Sequence, residues 1–364
     1  MLRIAEILGR DLPMQHTVTE QMTTVNVSII TSNSSSAPPK SSASLGIAIL
    51  SFAFILGFPG NAFVIWTIVT RMKKRTVTCI LILHLAMADI IVLLTAPFFL
   101  HLLSSGSWIF GNSMCKLCHY IGCLSMYASI FLITFMSMDR FLAVAKPYMS
   151  QKIRTKMAAR IIVLAVWVVA SLLAIPIAIN RTESRGDVIK CITVEAVDGN
   201  SQHIVFQYMF ETIMGFVIPF TIIVFCYVFI GLRLRTVKFQ TKHKTSRLVI
   251  MIIVTFAFFW IPYHVVNIVQ VEGELSSSTK LKEATNFLRP NATALVFFSS
   301  SINPILYAFA GGNFIRTAGV GFMAKLFEAT GSEAGSLRKV SQVFQQRSRN
   351  HSLEQGKLNK TIEE

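Results

Sequence analysis

Long apolar runs alternate with short polar stretches along most of this chain. Seven such runs cover approximately 45–70, 78–103, 115–145, 157–179, 203–230, 248–271 and 292–310. At 1.5 Å per helical residue, each is long enough for the hydrocarbon core of a bilayer, about 30 Å thick. A composition that is 53% apolar and only 14% charged points the same way. A soluble helical domain would explain one or two of these runs as buried core. Seven predict an all-α membrane protein, a seven-transmembrane helix bundle, because lipid favours helices whose backbone groups are paired internally.

The net charge of +16 would suggest nucleic acid if the chain were soluble. Its placement says otherwise. Four bases separate the first two spans, six lie from Arg140 to Arg160, and six from Arg233 to Arg247, with Asp139 as the one acid among them. The opposite segments carry Glu183, Asp187, Glu195, Asp198, Glu272, Glu274 and Glu283. The bias of Lys and Arg toward the cytoplasm predicts an extracellular N-terminus and a cytoplasmic C-terminus. The basic loops read as topology and attraction to membrane lipid, with no nucleic acid implied.

Residues 1–44 form a polar, Ser- and Thr-rich extracellular tail whose Asn26 and Asn33 sit in glycosylation sequons. It lacks a long apolar leader, so the first span is expected to serve as signal anchor. Sequons at Asn180 and Asn291 lie against span ends, too near the membrane for modification. Cys79, Cys118, Cys123 and Cys226 fall inside spans as small apolar residues. Cys115 and Cys191 both face the oxidising side, which predicts a disulfide between the third span and the following outer loop. The seven-helix core would then be 45–310. Residues 311–330 space Phe314, Ile315, Phe322, Met323, Leu326 and Phe327 as a short amphipathic membrane-surface helix. Residues 331–364 form a polar, Ser-rich cytoplasmic tail expected to be disordered.

An ionised residue at a helix centre costs roughly 2.5–3.5 kcal/mol on insertion scales, so the polar residues kept within the runs need reasons. Arg140 can pair with its neighbour Asp139, and breaking that pair would free its guanidinium for a partner protein or for the hydroxyls of Tyr227 or Tyr307; a snorkelling interfacial arginine is the simpler alternative. Pro219, Pro262 and Pro304 each remove a helix hydrogen bond and provide hinges. Trp260 sets a bulky ring beside the Pro262 kink. Asp89 stands roughly 20 Å above the inner boundary and Ser129 roughly 16 Å above Arg140 on straight helices, so the two can share a depth. Asn61, Ser299 and Asn303 add oxygens there. A protonated Asp89 bonded without metal is the plain alternative to an ion site.

The outer halves of the spans hold His119, Tyr127, Arg181, Glu211, Tyr263, His264, Asn267 and Arg289 among many Phe, Met, Ile and Leu side chains. Two guanidiniums near the mouth suit a carboxylate, and Glu211, His264 and Asn267 suit hydroxyls deeper down. A transporter or channel would show internal repeats or several facing midplane charges, and seven unlike spans lack that signature. The chain is not expected to be an enzyme, since neither HExxH nor GxSxG occurs.

The series Gly60-Asn61, Leu85 with Asp89, Trp108, Cys115, Asp139-Arg140-Phe141, Trp167, Pro219 with Tyr227, Phe256 with Trp260-Ile261-Pro262, and Asn303-Pro304 with Tyr307 falls one set per span, in order. It resembles the rhodopsin-like (class A) G-protein-coupled receptors over 60–307, with Phe141 where that family more often has Tyr. The resemblance implies a switch built on Asp139, Arg140, Tyr227, Phe256, Trp260, Pro262, Asn303, Pro304 and Tyr307, and a sodium ion held in the inactive state by Asp89, Ser129, Ser299 and Asn303 with no other cofactor. It also implies a plasma-membrane location, an inhibitory-class heterotrimeric G protein as partner, and phosphorylation of the tail by receptor kinases followed by arrestin docking. Gly122 stands where amine receptors hold Asp and Phe297 where the opsins hold lysine, so neither ligand type is implied.

Longer strings are more specific. Thr95-Ala96-Pro97-Phe98-Phe99-Leu100-His101, Ser125-Met126-Tyr127-Ala128-Ser129 and Pro262-Tyr263-His264-Val265-Val266-Asn267 resemble the leukotriene B4 receptor group within that family. The string Thr330-Gly331-Ser332-Glu333-Ala334 is nearer its high-affinity subtype. This implies a leukotriene B4 or related hydroxylated fatty acid ligand and a role in leukocyte chemotaxis, with another lipid or a peptide chemoattractant as the alternative. The group's contacts fall on His119, Tyr127, Arg181, Glu211, Tyr263, Asn267 and Arg289, while a basic contact near the top of the fifth span is replaced by Ile204 beside His203.

Overall fold

The computed structural model describes residues 40–72, 76–184, 186, 188–194, 201–235 and 244–310. Asn26, Asn33, the expected surface helix at 311–330, the tail at 331–364 and the side chain of Tyr307 lie outside the described residues.

Among the described residues, eleven α-helices and one hairpin follow one another: α1 (Lys40–Trp66), α2 (Val77–Leu93), α3 (Ala96–Ser105), α4 (Gly111–Ala145), α5 (Pro147–Ile153), α6 (Lys156–Leu173), α7 (Ile175–Ile179), β1 (Arg181–Ser184), β2 (Lys190–Thr193), α8 (Ser201–Thr212), α9 (Ile218–Arg235), α10 (Lys244–Leu275) and α11 (Thr279–Ala310). Joined across their breaks, Ala43–Arg71, Val77–Ser105, Gly111–Ala145, Lys156–Ile179, Ser201–Arg233 and Ile250–Leu275 are each long and apolar enough to cross a membrane. The seventh helix of the bundle is α11, packed along α1 and α10.

Three of the breaks have a local cause. Thr95 turns its hydroxyl back onto the Val92 carbonyl at 2.7 Å, and Pro97 in the first turn of α3 cannot continue the preceding ladder. Pro176 does the same at the start of α7. Between α8 and α9 the chain makes a wider π turn over Ile213–Val217. This turn stands just before Pro219, whose missing N–H frees a carbonyl that a wider turn can accommodate.

The core runs the length of α4. Its side chains Met126, Ile130, Ile133 and Met136 meet Leu81 and Leu85 of α2, Val163 and Val166 of α6, and Phe256 and Trp260 of α10. On α6 only small and β-branched residues are buried, Ala159, Val163, Val166 and Ala170. Ile161, Leu164, Val168 and Leu172 face outward and stay exposed. Such a stripe is a liability in water and the expected surface in lipid.

α11 begins thirteen residues before the expected start at 292. The polar run before 292 is paired with α10: Lys282 Nζ with Glu274 at 2.6 Å, Thr285 Oγ1 donating to Gln270 Oε1 at 2.6 Å, and Arg289 donating to Asn267 at 2.9 Å. A three-residue turn at Ser276–Ser278 is all that separates the two helices, with Ser277 in the left-handed region at φ 51°. Close-packed small residues fix α1 as well. Asn61 Nδ2 donates to Gly57 O and Ser300 O at 3.0 and 2.9 Å, clipping α1 to α11.

Candidate ligand site and its switch

The expected disulfide is formed. Cys115 in the first turns of α4 is bridged to Cys191 of β2 across a Cα separation of 5.7 Å. β2 pairs antiparallel with β1, placing Arg181 opposite Thr193, and the Trp108 N–H holds the hairpin loop through Ile189 O at 2.8 Å. The hairpin therefore stands as a fixed wall over one end of the bundle, and it carries Arg181 on its first residue. With both sulfurs committed to the bridge, Cys115, Cys191 and nearby His119 do not form a metal site.

Beneath this wall lies a cavity of about 300 Å3, within the range of small-molecule sites. Its sides are mostly apolar, with Phe99, Leu103, Met126, Val296 and Phe297 among them, and Trp260 lies toward its base. Of the expected ligand residues it gathers His119, Arg181, Glu211, Tyr263 and Arg289. Tyr127, His264 and Asn267 do not line it. Tyr127 stacks on Phe131 with ring centroids 6.0 Å apart and packs against the π turn at Gly215. His264 sits between Phe216 and Trp260, at 4.9 and 5.9 Å, with its Nδ1 3.2 Å from Thr212 Oγ1. Asn267 acts through Arg289.

The polar groups are held so that open valences remain. Arg289 donates from one terminal nitrogen to Asn267 Oδ1 and lies 4.5 Å over the Tyr208 ring, while its other terminal nitrogen is buried without a partner. Arg181 Nε is likewise buried and unpaired. Glu211 Oε1 accepts from the Tyr263 hydroxyl at 2.8 Å, and Oε2 has no partner. His119 Nδ1 lies 2.9 Å from the Cys115 carbonyl. A carbonyl only accepts, so Nδ1 carries the proton and Nε2 is left as an acceptor. Two guanidiniums against a single buried carboxyl leave the chamber net positive, which suits an anionic ligand group.

A second, far smaller cavity of about 10 Å3 is lined by Asp89, Ser125, Ser129, Ser299, Ser300 and Asn303, roughly the room one water-sized occupant needs. Asn303 Nδ2 donates to Asp89 Oδ2 at 2.8 Å, leaving the other carboxylate oxygen, four hydroxyls and an amide oxygen as hard donors. That set suits a hard monovalent cation. Asn61, expected among these donors, does not line the cavity. Ser125 and Ser300 join it, and neither stood out from the many serines of the spans. Trp260 and Phe256 line this cavity too, and Trp260 lines both chambers.

At the far end of α4, Asp139 is only 4.0 Å from Arg140 Nε and pairs far more closely with Arg154, at 2.8 Å. Arg140 is buried and donates to Thr78 Oγ1 at 2.6 Å, a hydroxyl that Arg154 also reaches at 3.2 Å. Sequence reasoning took Arg154 for one loop base among several. Nothing in the local pattern distinguishes it, since only the turn of the chain through α5 brings it to α4.

Residues 60–307 match the family model for the seven-transmembrane receptors of the rhodopsin family. The chain belongs to that family. The receptor is 47% identical to human leukotriene B4 receptor 1 over 322 residues, 86% of this chain and 91% of the relative. It is 38% identical to human leukotriene B4 receptor 2, over 82% and 85% of the two chains. The C3a anaphylatoxin chemotactic receptor of Oncorhynchus mykiss is 33% identical, over 81% of each. The receptor is thus a multi-pass membrane protein, and its chambers are those of a signalling molecule rather than an enzyme.

Proposed function

We propose that this chain is a plasma-membrane receptor for leukotriene B4 or a closely related dihydroxy fatty acid, with its N-terminus outside. The observation that carries this reading is the pattern of open valences in the 300 Å3 cavity: two unpaired guanidinium nitrogens and one unpaired carboxylate oxygen within an apolar wall. The ligand carboxylate meets Arg181 or Arg289, its hydroxyls meet Glu211 Oε2 and His119 Nε2, and its polyene lies along Phe99, Met126 and Phe297. The similarity to leukotriene B4 receptors 1 and 2 supports the same class of ligand.

Signal transfer follows from the shared wall. A ligand tail that displaces Trp260 also deforms the Asp89 chamber, where Asp89, Ser129, Ser299 and Asn303 hold a sodium ion in the resting state. Loss of the ion lets α10 pivot at Pro262 and α11 at Pro304. The Asp139, Arg154, Thr78 and Arg140 cluster then opens to a heterotrimeric G protein of the inhibitory class. Receptor kinases and arrestin act afterwards on the serines of 331–364.

Nucleotide exchange on an inhibitory G protein, driven in membranes holding this chain, tests the reading. Leukotriene B4 is expected to act at lower concentration than monohydroxy fatty acids, formylated peptides or anaphylatoxin peptides. A peptide that acts well below every eicosanoid would overturn it.

A further inference from the structure

The cytoplasm-facing end of α4 borders a chamber that neither the ligand nor the proposed ion uses. It measures about 150 Å3 and lies among α2, α4, α5 and α6, with Val77, Leu81, Phe135, Leu142, Ala159 and Ile162 as walls. Its polar groups, Asp139, Ser150, Arg154 and Thr155, are few. Asp139 and Arg154 already satisfy one another at 2.8 Å. Water needs two to four polar partners, which most of this wall does not offer, so the chamber favours hydrocarbon. Met138 and Ile153 also line it and are exposed, so the chamber communicates with the outer surface of the bundle.

Charge narrows the occupant further. Lys152, Lys156 and Arg160 are exposed on the segments that carry Arg154 and the chamber's apolar residues, and no acid occurs between Arg140 and Arg160. A hydrocarbon chain attached to an anionic head at the membrane surface satisfies both halves of this arrangement. We propose that the chamber binds an anionic phospholipid of the cytoplasmic leaflet, with part of one acyl chain inside, the rest along the outer surface of the bundle, and its phosphate among Lys152, Arg154 and Lys156. The bound chain braces α5 against α4 and α6. It thereby steadies the segment that holds Arg154 on Asp139.

The full-length chain in detergent, doped with one lipid at a time, tests this by native mass spectrometry. Dioleoyl phosphatidylserine is expected to remain bound about tenfold more than dioleoyl phosphatidylcholine, a preference that Lys152→Ala and Lys156→Ala together remove. Dihexanoyl phosphatidylserine carries the same head on short chains and is expected to be retained no better than the zwitterionic lipid. Ala158→Phe, at a half-buried position on the chamber wall, should abolish retention of the long-chain lipid while agonist binding persists. Equal retention of dioleoyl and dihexanoyl phosphatidylserine by the unaltered chain would overturn the proposal, and that comparison needs no variant to fold. Unchanged retention in a folded Ala158→Phe chain would overturn it as well.

Discussion

Arg289 shows how much of a residue's role lies in what holds it. Its guanidinium is fixed by Asn267 on one side and the Tyr208 ring on the other, so the nitrogen left open is already aimed before any ligand arrives. Cation–π contacts contribute about 0.5–2 kcal/mol. Tyr208→Leu, which keeps the charge but removes the ring, should therefore weaken the free acid of the ligand by roughly three- to thirtyfold and its methyl ester much less, as read by competition binding. Both arginines are legible in the sequence because each borders the outer end of an apolar run, at the level of the mouth. Tyr208 escaped notice, because a tyrosine near a membrane surface is ordinary. Arg154 escaped for the same reason among six loop bases. Its 2.8 Å pairing with Asp139 makes it a stronger local restraint than Arg140's 4.0 Å approach. Arg154→Ala is accordingly expected to raise agonist-independent nucleotide exchange several-fold with surface expression intact; unchanged basal exchange would remove Arg154 from the switch.

Helices were legible where their polar residues were sparse and illegible where neighbours paired those residues. All seven expected runs are helical, six of them long and apolar enough to cross a membrane, yet α11 starts at Thr279 because α10 pairs its polar run. The two-stranded hairpin and the π turn at Ile213–Val217 are not legible in the sequence: the first depends on the bridge to Cys115, and Pro219 reads as a hinge rather than as the cause of a wider turn. Glycines mark where elements approach most closely. A Cβ at Gly57 would stand 2.6 Å from Ser301 Cβ and 2.9 Å from its Cα, which forces α1 and α11 apart. At Gly215 the nearest atom, also at 2.6 Å, is the mobile end of Met126, which can swing aside. Overpacking costs about 1–3 kcal/mol and more where backbone must move. Gly57→Ala should thus lower the melting temperature more than Gly215→Ala, and the reverse order would contradict the assigned contacts.

Across the whole molecule, the account depends on coupling between chambers that share Trp260. If sodium occupies the Asp89 chamber, agonist affinity should fall as sodium rises, and Asp89→Asn should abolish that dependence, because linkage between two sites is reciprocal. Binding isotherms in sodium and in a bulky organic cation read this directly; a dependence unaltered by Asp89→Asn would place the ion elsewhere. The central claim, that a lipid carboxylate is held by the guanidiniums of the large cavity, is met most directly by a comparison of acid and ester. Charge-assisted bonds contribute about 1.5–3 kcal/mol, or roughly tenfold to more than a hundredfold in affinity. Leukotriene B4 and its methyl ester should therefore differ strongly at the unaltered receptor, and the gap should shrink by at least tenfold in Arg181→Ala or Arg289→Ala. If acid and ester bind alike to the unaltered receptor, or if both variants preserve the full gap, the carboxylate is not held there and the proposed mode of recognition is wrong.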